Sequence, residues 1–263
     1  MPSLSLEFLG SGTSTGVPAI GCACAVCTSD DPRNRRLRPS VLLRGGGTAV
    51  VVDTGPDFRE QMLRSKVARL DAVLITHYHA DHVVGIDDLR RFNMLQKQVL
   101  PCWATEKTLA SLRHSFGYVF SETLRPGLPN LTPQTIVPGQ PFEIGELRLE
   151  PYEIDHHVLP NIALRIARKG TQGPVLVYCM DCKRIPEASY EALAGADLLV
   201  LDMLREQPHP THFNLEEALA AVARLRPRKT WFAHMAHEVD HAAIEAKLPP
   251  GIRLAYDGLV VEP

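Results

Sequence analysis

The chain of 263 residues is 45% hydrophobic and 22% charged with a net charge of −2, a balance that fits a globular protein long enough to bury a large core. That charge gives no general attraction to nucleic acid or an anionic membrane, so an anionic substrate has to be held by local positive charge. No apolar run approaches the roughly 18 residues that a spanning helix needs, and the opening M-P-S-L-S-L-E-F-L-G lacks a secretory pattern, so the expectation is a cytoplasmic protein with reduced thiols.

Residues 4–9 alternate like an opening strand with one covered face, and 10–16, G-S-G-T-S-T-G, read as a glycine-permitted turn. Its spacing is neither the dinucleotide nor the Walker pattern, and no helical run follows it. Cys22, Cys24 and Cys27 come next as C-x-C-x-x-C. Three soft thiolates this close suit a structural zinc, whose fourth ligand must come from elsewhere. Arg33, Arg35, Arg36 and Arg38 could form an anion-binding patch, but a solvated basic face is the expectation. A hairpin follows, S-V-L-L-R around Leu42, a turn at 45–47, and T-A-V-V-V-D ending at Asp53; a helix is predicted from about Asp57 to Lys66.

The stretch from Asp71 to His82, D-A-V-L-I-T-H-Y-H-A-D-H, organises the rest. Val73, Leu74 and Ile75 mark a strand covered on both faces, and the run stops abruptly in polar residues. Residues two apart on extended backbone face the same way, so His77 and His79 can close on one point while the following turn carries Asp81 and His82 toward a second. Beyond it the pattern predicts a helix through Phe92 and Asn93, a strand over 97–104, a helix over 106–120 and a loop-rich crossing over 121–140, with Tyr118 and Phe120 as lid candidates and Cys102 and Trp103 as core.

In the second half, strands run into Asp155, His156 and His157, then to Asp181, Asp202 and His234. Hydrophobic strands that each stop at a His or Asp are what a metal site at strand ends requires. Asn214 fits the N-cap of the helix L-E-E-A-L-A-A-V-A-R-L, and Cys179 and Cys182 read as core thiols.

T-H-Y-H-A-D-H resembles the H-x-H-x-D-H signature of the metallo-β-lactamase superfamily. From G-S-G-T-S-T-G-V-P to A-H-M-A-H the chain is similar to the branch of PhnP-type cyclic phosphodiesterases. The resemblance implies one domain over 1–263, an α/β (α+β) four-layer αββα sandwich of two mixed sheets flanked by helices. It implies that His77, His79 and His156 bind one metal and that Asp81, His82 and His234 bind another, with Asp181 bridging. His156 is chosen over His157 because Leu159 and Pro160 reproduce the family spacing; family members often carry glycine where His157 stands. His237, three residues beyond His234, would complete a zinc site with Cys22, Cys24 and Cys27. Asp53 would orient a ligand rather than bind metal. His212 matches the branch's general acid, with His209 its competitor.

Two divalent ions, zinc or manganese, about 3.5 Å apart would share and activate a water, and a phosphodiester suits them because its transition state gathers negative charge. The first expectation is therefore a phosphodiesterase for small cyclic phosphates or nucleotide-like diesters, working through a metal-bridging hydroxide, with Asp81 and His212 indispensable for turnover. The family likeness also implies a homodimer. The alternatives are tRNA 3′-end processing, which would need a basic arm not visible between His156 and Asp181; thioester hydrolysis; and a non-catalytic carrier of the pyrroloquinoline quinone pathway type. Neither a nucleic-acid nor a membrane partner is expected.

Overall fold

In the computed structural model, which describes residues 3–157 and 159–263, the apolar runs form fourteen strands in two sheets of seven. The first sheet takes β1 (Ser5–Gly10), β2 (Ser40–Gly45), β3 (Thr48–Val52), β4 (Ala72–Leu74), β5 (Leu100–Thr105) and β6 (Leu131–Ile136). The second takes β7 (Phe142–Ile144), β8 (Leu147–His156), β9 (Leu159–Arg168), β10 (Leu176–Cys179), β11 (Leu198–Asp202), β12 (Lys229–Ala233) and β13 (Ile252–Leu254). β14 (Val260–Val261) returns to the first sheet beside β1.

The two sheets share one pairing scheme. In the orders β14-β1-β2-β3-β4-β5-β6 and β7-β8-β9-β10-β11-β12-β13, the first three pairings are antiparallel and the last three parallel. Each sheet thus switches direction at its fourth strand, β3 in one and β10 in the other.

Strand periodicity decides which side chain enters which core. Val50, Val52, Ala72 and Leu74 meet Leu164, Tyr178 and Val200 of the second sheet, while the intervening Val51, Val73 and Ile75 pack under helices. Both faces are covered, which is why these strands read as unbroken apolar runs. The helices are α1 (Phe58–Ser65), α2 (Ala80–Val83), α3 (Arg90–Gln96) and α4 (Glu106–Phe116) beside the first sheet, and α5 (Glu187–Leu193), α6 (Leu215–Leu225) and α7 (His241–Glu245) in the second half. Phe58, Leu89, Leu109 and Leu112 form one outer core and Leu193, Ala218, Ala221 and Leu225 the other, giving the αββα layers. α6 begins in a capping box, with Asn214 and Glu217 each accepting from the other's backbone N–H.

Four expectations change. The crossing over 121–140 contains β6, whose central Pro133 is tolerated because β6 is an edge strand. The helix over 106–120 ends at Phe116 and the strand over 97–104 starts at Leu100. Arg36 does not belong to a solvated face: it is buried and donates to the carbonyls of Arg33, Ala236 and Val239 and to Asn34 Oδ1. Burial draws its pKa down to about 10, so those acceptors hold a buried cation. Trp103 is partly buried and stacks on Phe142 at 4.6 Å, Cys102 is buried, and Tyr118 is exposed and bonded to Asp87. No helix of the described residues is long and apolar enough to cross a membrane.

Candidate metal centre

The polar residues gather where β3, β4, β8, β10, β11 and β12 end. β4 stops at Leu74 and delivers His77 and His79, and α2 then carries Asp81 and His82. His156 is the last residue of β8, Asp202 the last of β11, and His234 follows β12. Seven non-glycine residues among those described have positive φ: Lys66, Lys97 and Arg226 close helices, and Asp53, His157, Asp181 and His234 stand at this site. Strain of this kind persists where packing over-determines it. Gly55 is required here, because a Cβ on it would lie 2.0 Å from the carbonyl oxygen of Asp81.

Two groups of donor atoms converge. Those of His77, His79 and His156 lie within 4.8 Å of one another, as do those of Asp81, His82, Asp181 and His234. His79 Nδ1 is 3.0 Å from His77 Nε2 and 3.3 Å from His156 Nε2. His82 Nε2 is 3.3 Å from both Asp81 Oδ2 and Asp181 Oδ2, and His234 Nε2 is 3.0 Å from Asp181 Oδ1. Despite that proximity, His82 Nε2, His234 Nε2 and Asp181 Oδ2 are buried without hydrogen-bond geometry to any partner. Buried orphan atoms are costly, and nitrogen and carboxylate donors aimed at one another are the donor set of a divalent-metal site, so these residues fit metal.

The electrostatics differ between the groups. Burial holds His77 well below the usual histidine range and also lowers His79 and His156, keeping their lone pairs free for a cation. Burial works the same way on His82 and His234, but Asp181 and its neighbours outweigh it, lifting His82 well above its ordinary value and His234 to about 9. Burial likewise opposes ionisation of Asp181, yet His234 and His82 hold its carboxyl well below the usual range. Protons on these two rings balance the buried carboxylates, and cations would replace them.

A ring of partners orients these groups. Asp53 accepts from the Thr76 amide and hydroxyl and lies 2.8 Å from His82 Nδ1. His156 Nδ1 is 3.0 Å from the Thr211 carbonyl, which leaves Nε2 for a ligand role. Asp202 accepts from the Cys182 amide and lies 2.8 Å from His212 Nδ1, and the His212 ring stacks on His234 at 4.6 Å. Asp202 was visible in the sequence only as a strand terminus; the imidazole that its carboxylate meets, His212, sits ten residues on and gives no spacing signal. The His209 ring is 5.2 Å from that of His212 and half-buried. Both line a cleft of about 470 Å³, with Ser14 from the glycine-rich turn on another wall.

The cysteine cluster closes beside this loop. His237 Nδ1 is 3.4 Å from the sulfurs of both Cys22 and Cys24, and Cys27 completes a group within 4.8 Å. The hydrogen bond from His237, then that from the Cys27 amide, brings the Cys24 thiol down to about 6, while burial pushes Cys27 up to about 11. Cys179 and Cys182 are buried in the outer core of the second sheet, in neither group.

Residues 48–235 match the β-lactamase superfamily domain. The chain belongs to the metallo-β-lactamase superfamily. Within this superfamily it is similar to a crystal structure described as a new diphosphatase from the PhnP family, with 39% identity and a TM-score of 0.89 over 99% of this chain and 97% of that one. It is 37% identical over 258 residues to an octanoyltransferase of Porphyromonas gingivalis; the match takes in 96% of this chain but spans only 50% of that relative's length. Zinc-bound PqqB from Methylobacterium extorquens shares the fold at 22% identity and a TM-score of 0.80, over 98% of this chain and all of that one. The metallo-β-lactamase sandwich expected from the H-x-H-x-D-H signature stands on these matches.

Proposed function

We propose that this metallo-β-lactamase chain is a metal-dependent phosphodiesterase acting on small diesters. His77, His79 and His156 would hold one divalent ion and Asp81, His82 and His234 a second, with Asp181 between them; zinc and manganese both suit such donors. When bound, the pair would supply an activated water and positive charge for the negative charge that gathers in the transition state. The observation that carries this reading is the convergence of seven His and Asp groups with His82 Nε2, His234 Nε2 and Asp181 Oδ2 left unpartnered.

The chain's own residues do the rest. Asp53 and the Thr211 carbonyl fix the rings of His82 and His156. His212 lies 2.8 Å through Nδ1 from Asp202 and lines the cleft, where its imidazolium form would give the Nε2 proton to a departing alkoxide. Cys22, Cys24, Cys27 and His237 would hold a structural zinc, which ties the N-terminal loop to the loop of His234. The thiols of that site suit the cytoplasm, and no lysine or arginine among the described residues lines the cleft to grip a nucleic-acid backbone.

Purified protein loaded with manganese should hydrolyse bis-p-nitrophenyl phosphate, and Asp81→Ala should abolish that turnover. A thioesterase without diesterase activity would refute the reading. The diphosphatase relative favours one other possibility, cleavage of a phosphoanhydride. Octanoyl transfer is not carried over, since the relative so named is twice as long and no cysteine or lysine lines this cleft among the described residues.

A further inference from the structure

We infer that Asp257, near the end of the chain, is a positioning residue for the metal centre: through Ser11 and the glycine-rich turn it fixes the backbone that carries His234. The inference rests on the reading of His234 as a ligand and adds what holds that ring in place. A ligand ring is ordinarily oriented by a hydrogen bond at the nitrogen turned away from the metal. His77 Nδ1 has the Thr76 hydroxyl at 3.1 Å, His82 Nδ1 has Asp53, and His156 Nδ1 has the Thr211 carbonyl. His234 has no such bond among the described residues: both its ring nitrogens are buried without one, and the Asp202 carboxylate stands 3.8 Å from Nδ1. Apart from stacking on His212, its placement falls to the backbone, which is left-handed there at φ 64.

The turn over 10–16 supplies that hold. The Met235 amide donates to the Ser11 carbonyl at 3.0 Å and the Met235 carbonyl accepts from the Thr13 amide at 3.2 Å, so Gly12 and Met235 pair as in a parallel sheet. The opposite edge of the segment is bonded beyond β11, the Met203 amide to the Ala233 carbonyl and the Ala236 amide to the Leu204 carbonyl. His234 thus sits between two anchored edges, one of which is the turn. A Cβ on Gly12 would lie 2.8 Å from that of Arg36, so the turn needs glycine to lie against residues 36–38. Asp257 latches this arrangement. Its Oδ1 accepts from the Ser11 amide at 2.8 Å and the Ser11 hydroxyl at 2.7 Å; its Oδ2 accepts from the Leu37 amide at 2.9 Å, and the Leu37 carbonyl in turn accepts from the Gly12 amide. Hydrogen bonds to a carboxylate are the stronger kind, and this side chain is only 9% exposed. The pairing of β14 with β1 brings Asp257 there from the far end of the sequence. A run whose glycine spacing fits no phosphate-binding pattern thereby has a task, as a strap on the peptide that follows His234.

The test measures manganese bound at a series of free concentrations, by elemental analysis, together with Tm, for the parent, Asp257→Asn, Asp257→Ala and Leu109→Ala. Asp257→Asn keeps an acceptor for Ser11 and loses the one for Leu37; Asp257→Ala loses both. Affinity for the more weakly held ion should fall about tenfold in Asp257→Ala and by a smaller factor in Asp257→Asn, as when the support behind a ligand is removed. Leu109→Ala opens a cavity in the outer core on α4 and should melt below the parent with its manganese affinity unchanged. That contrast separates the positioning of His234 from a general loss of stability. Unchanged affinity in Asp257→Ala, or in Asp257→Asn should the alanine variant fail to fold, overturns the inference, as does an equal loss in Leu109→Ala; the metal-centre reading survives each of these. A parent that binds no pair of divalent ions, manganese or zinc, beyond the cysteine site overturns that reading and this inference together.

Discussion

Asp53 and Asp181 flank the same imidazole, that of His82, lying 2.8 Å from its Nδ1 and 3.3 Å from its Nε2. They also stand at corresponding places in the two halves. Asp53 follows β3 and Asp181 lies just past β10, the strands at which each sheet turns from antiparallel to parallel pairing, and both have left-handed backbone, φ 65 and 53. Crevices beyond strand ends at such switch points are where sheets of this kind bind ligands. One half contributes an orienting carboxylate and the other a carboxylate in the donor group. Asp53→Asn keeps the shape but removes the charge behind His82. It should weaken metal retention about 10–100-fold, read by elemental analysis after dialysis at fixed free metal, with the circular dichroism spectrum unchanged. Full metal content in the variant would show that Asp53 does not support a ligand.

His212 and Asp202 form a pair whose role depends on the leaving group. With an alkyl leaving group, His212→Ala should cost about 10²–10⁴ in kcat, and Asp202→Asn a smaller part of that. With p-nitrophenolate, which departs without a proton, the loss should be much smaller. Equal losses for both substrates would mean that the ring acts by position rather than as an acid.

The H-x-H-x-D-H run, the strand-terminal His and Asp residues and the cysteine cluster were legible in the sequence because each depends on local spacing or on the end of an apolar run. Asp202 carried the same strand-end signal, but its partner is set by how β11 packs against the loop of His212, which no local pattern encodes. Arg36 misled for the opposite reason. A basic run reads as solvated, and only the tertiary fold brings the carbonyls of Ala236 and Val239 within its reach. β6 was hidden by Pro133, a strand breaker that an edge position tolerates.

Cys24→Ser tests the second metal site through the first. His237 lies three residues from His234, and Arg36 holds the intervening loop at Ala236. Losing one thiolate should remove one zinc per chain and lower Tm by roughly 5–10 °C, because binding energy of a structural zinc is folding energy. Turnover should fall as well, through displacement of His234. An unchanged zinc count would show that Cys24 is no ligand.

His241 sets an acid limit on stability apart from the metal residues. Its ring is buried on α7, edge-on to Tyr256 at 6.1 Å, with Nδ1 unpartnered. Burial, then Arg33, with Arg36 adding to it, draws its pKa down to about 4 against the opposing pull of Glu245 and Asp31. The neutral ring is favoured in the folded chain, so its contribution is fully present above the ordinary histidine pKa near 6.5. It is lost as pH falls from there through about 4, at no more than about 1.4 kcal/mol per pH unit. His241→Phe keeps an aromatic ring and removes the proton site. Its Tm should therefore fall less steeply than that of the parent between pH 6.5 and 4, measured with chelator present so that metal loss is common to both. Parallel curves would place the acid sensitivity elsewhere.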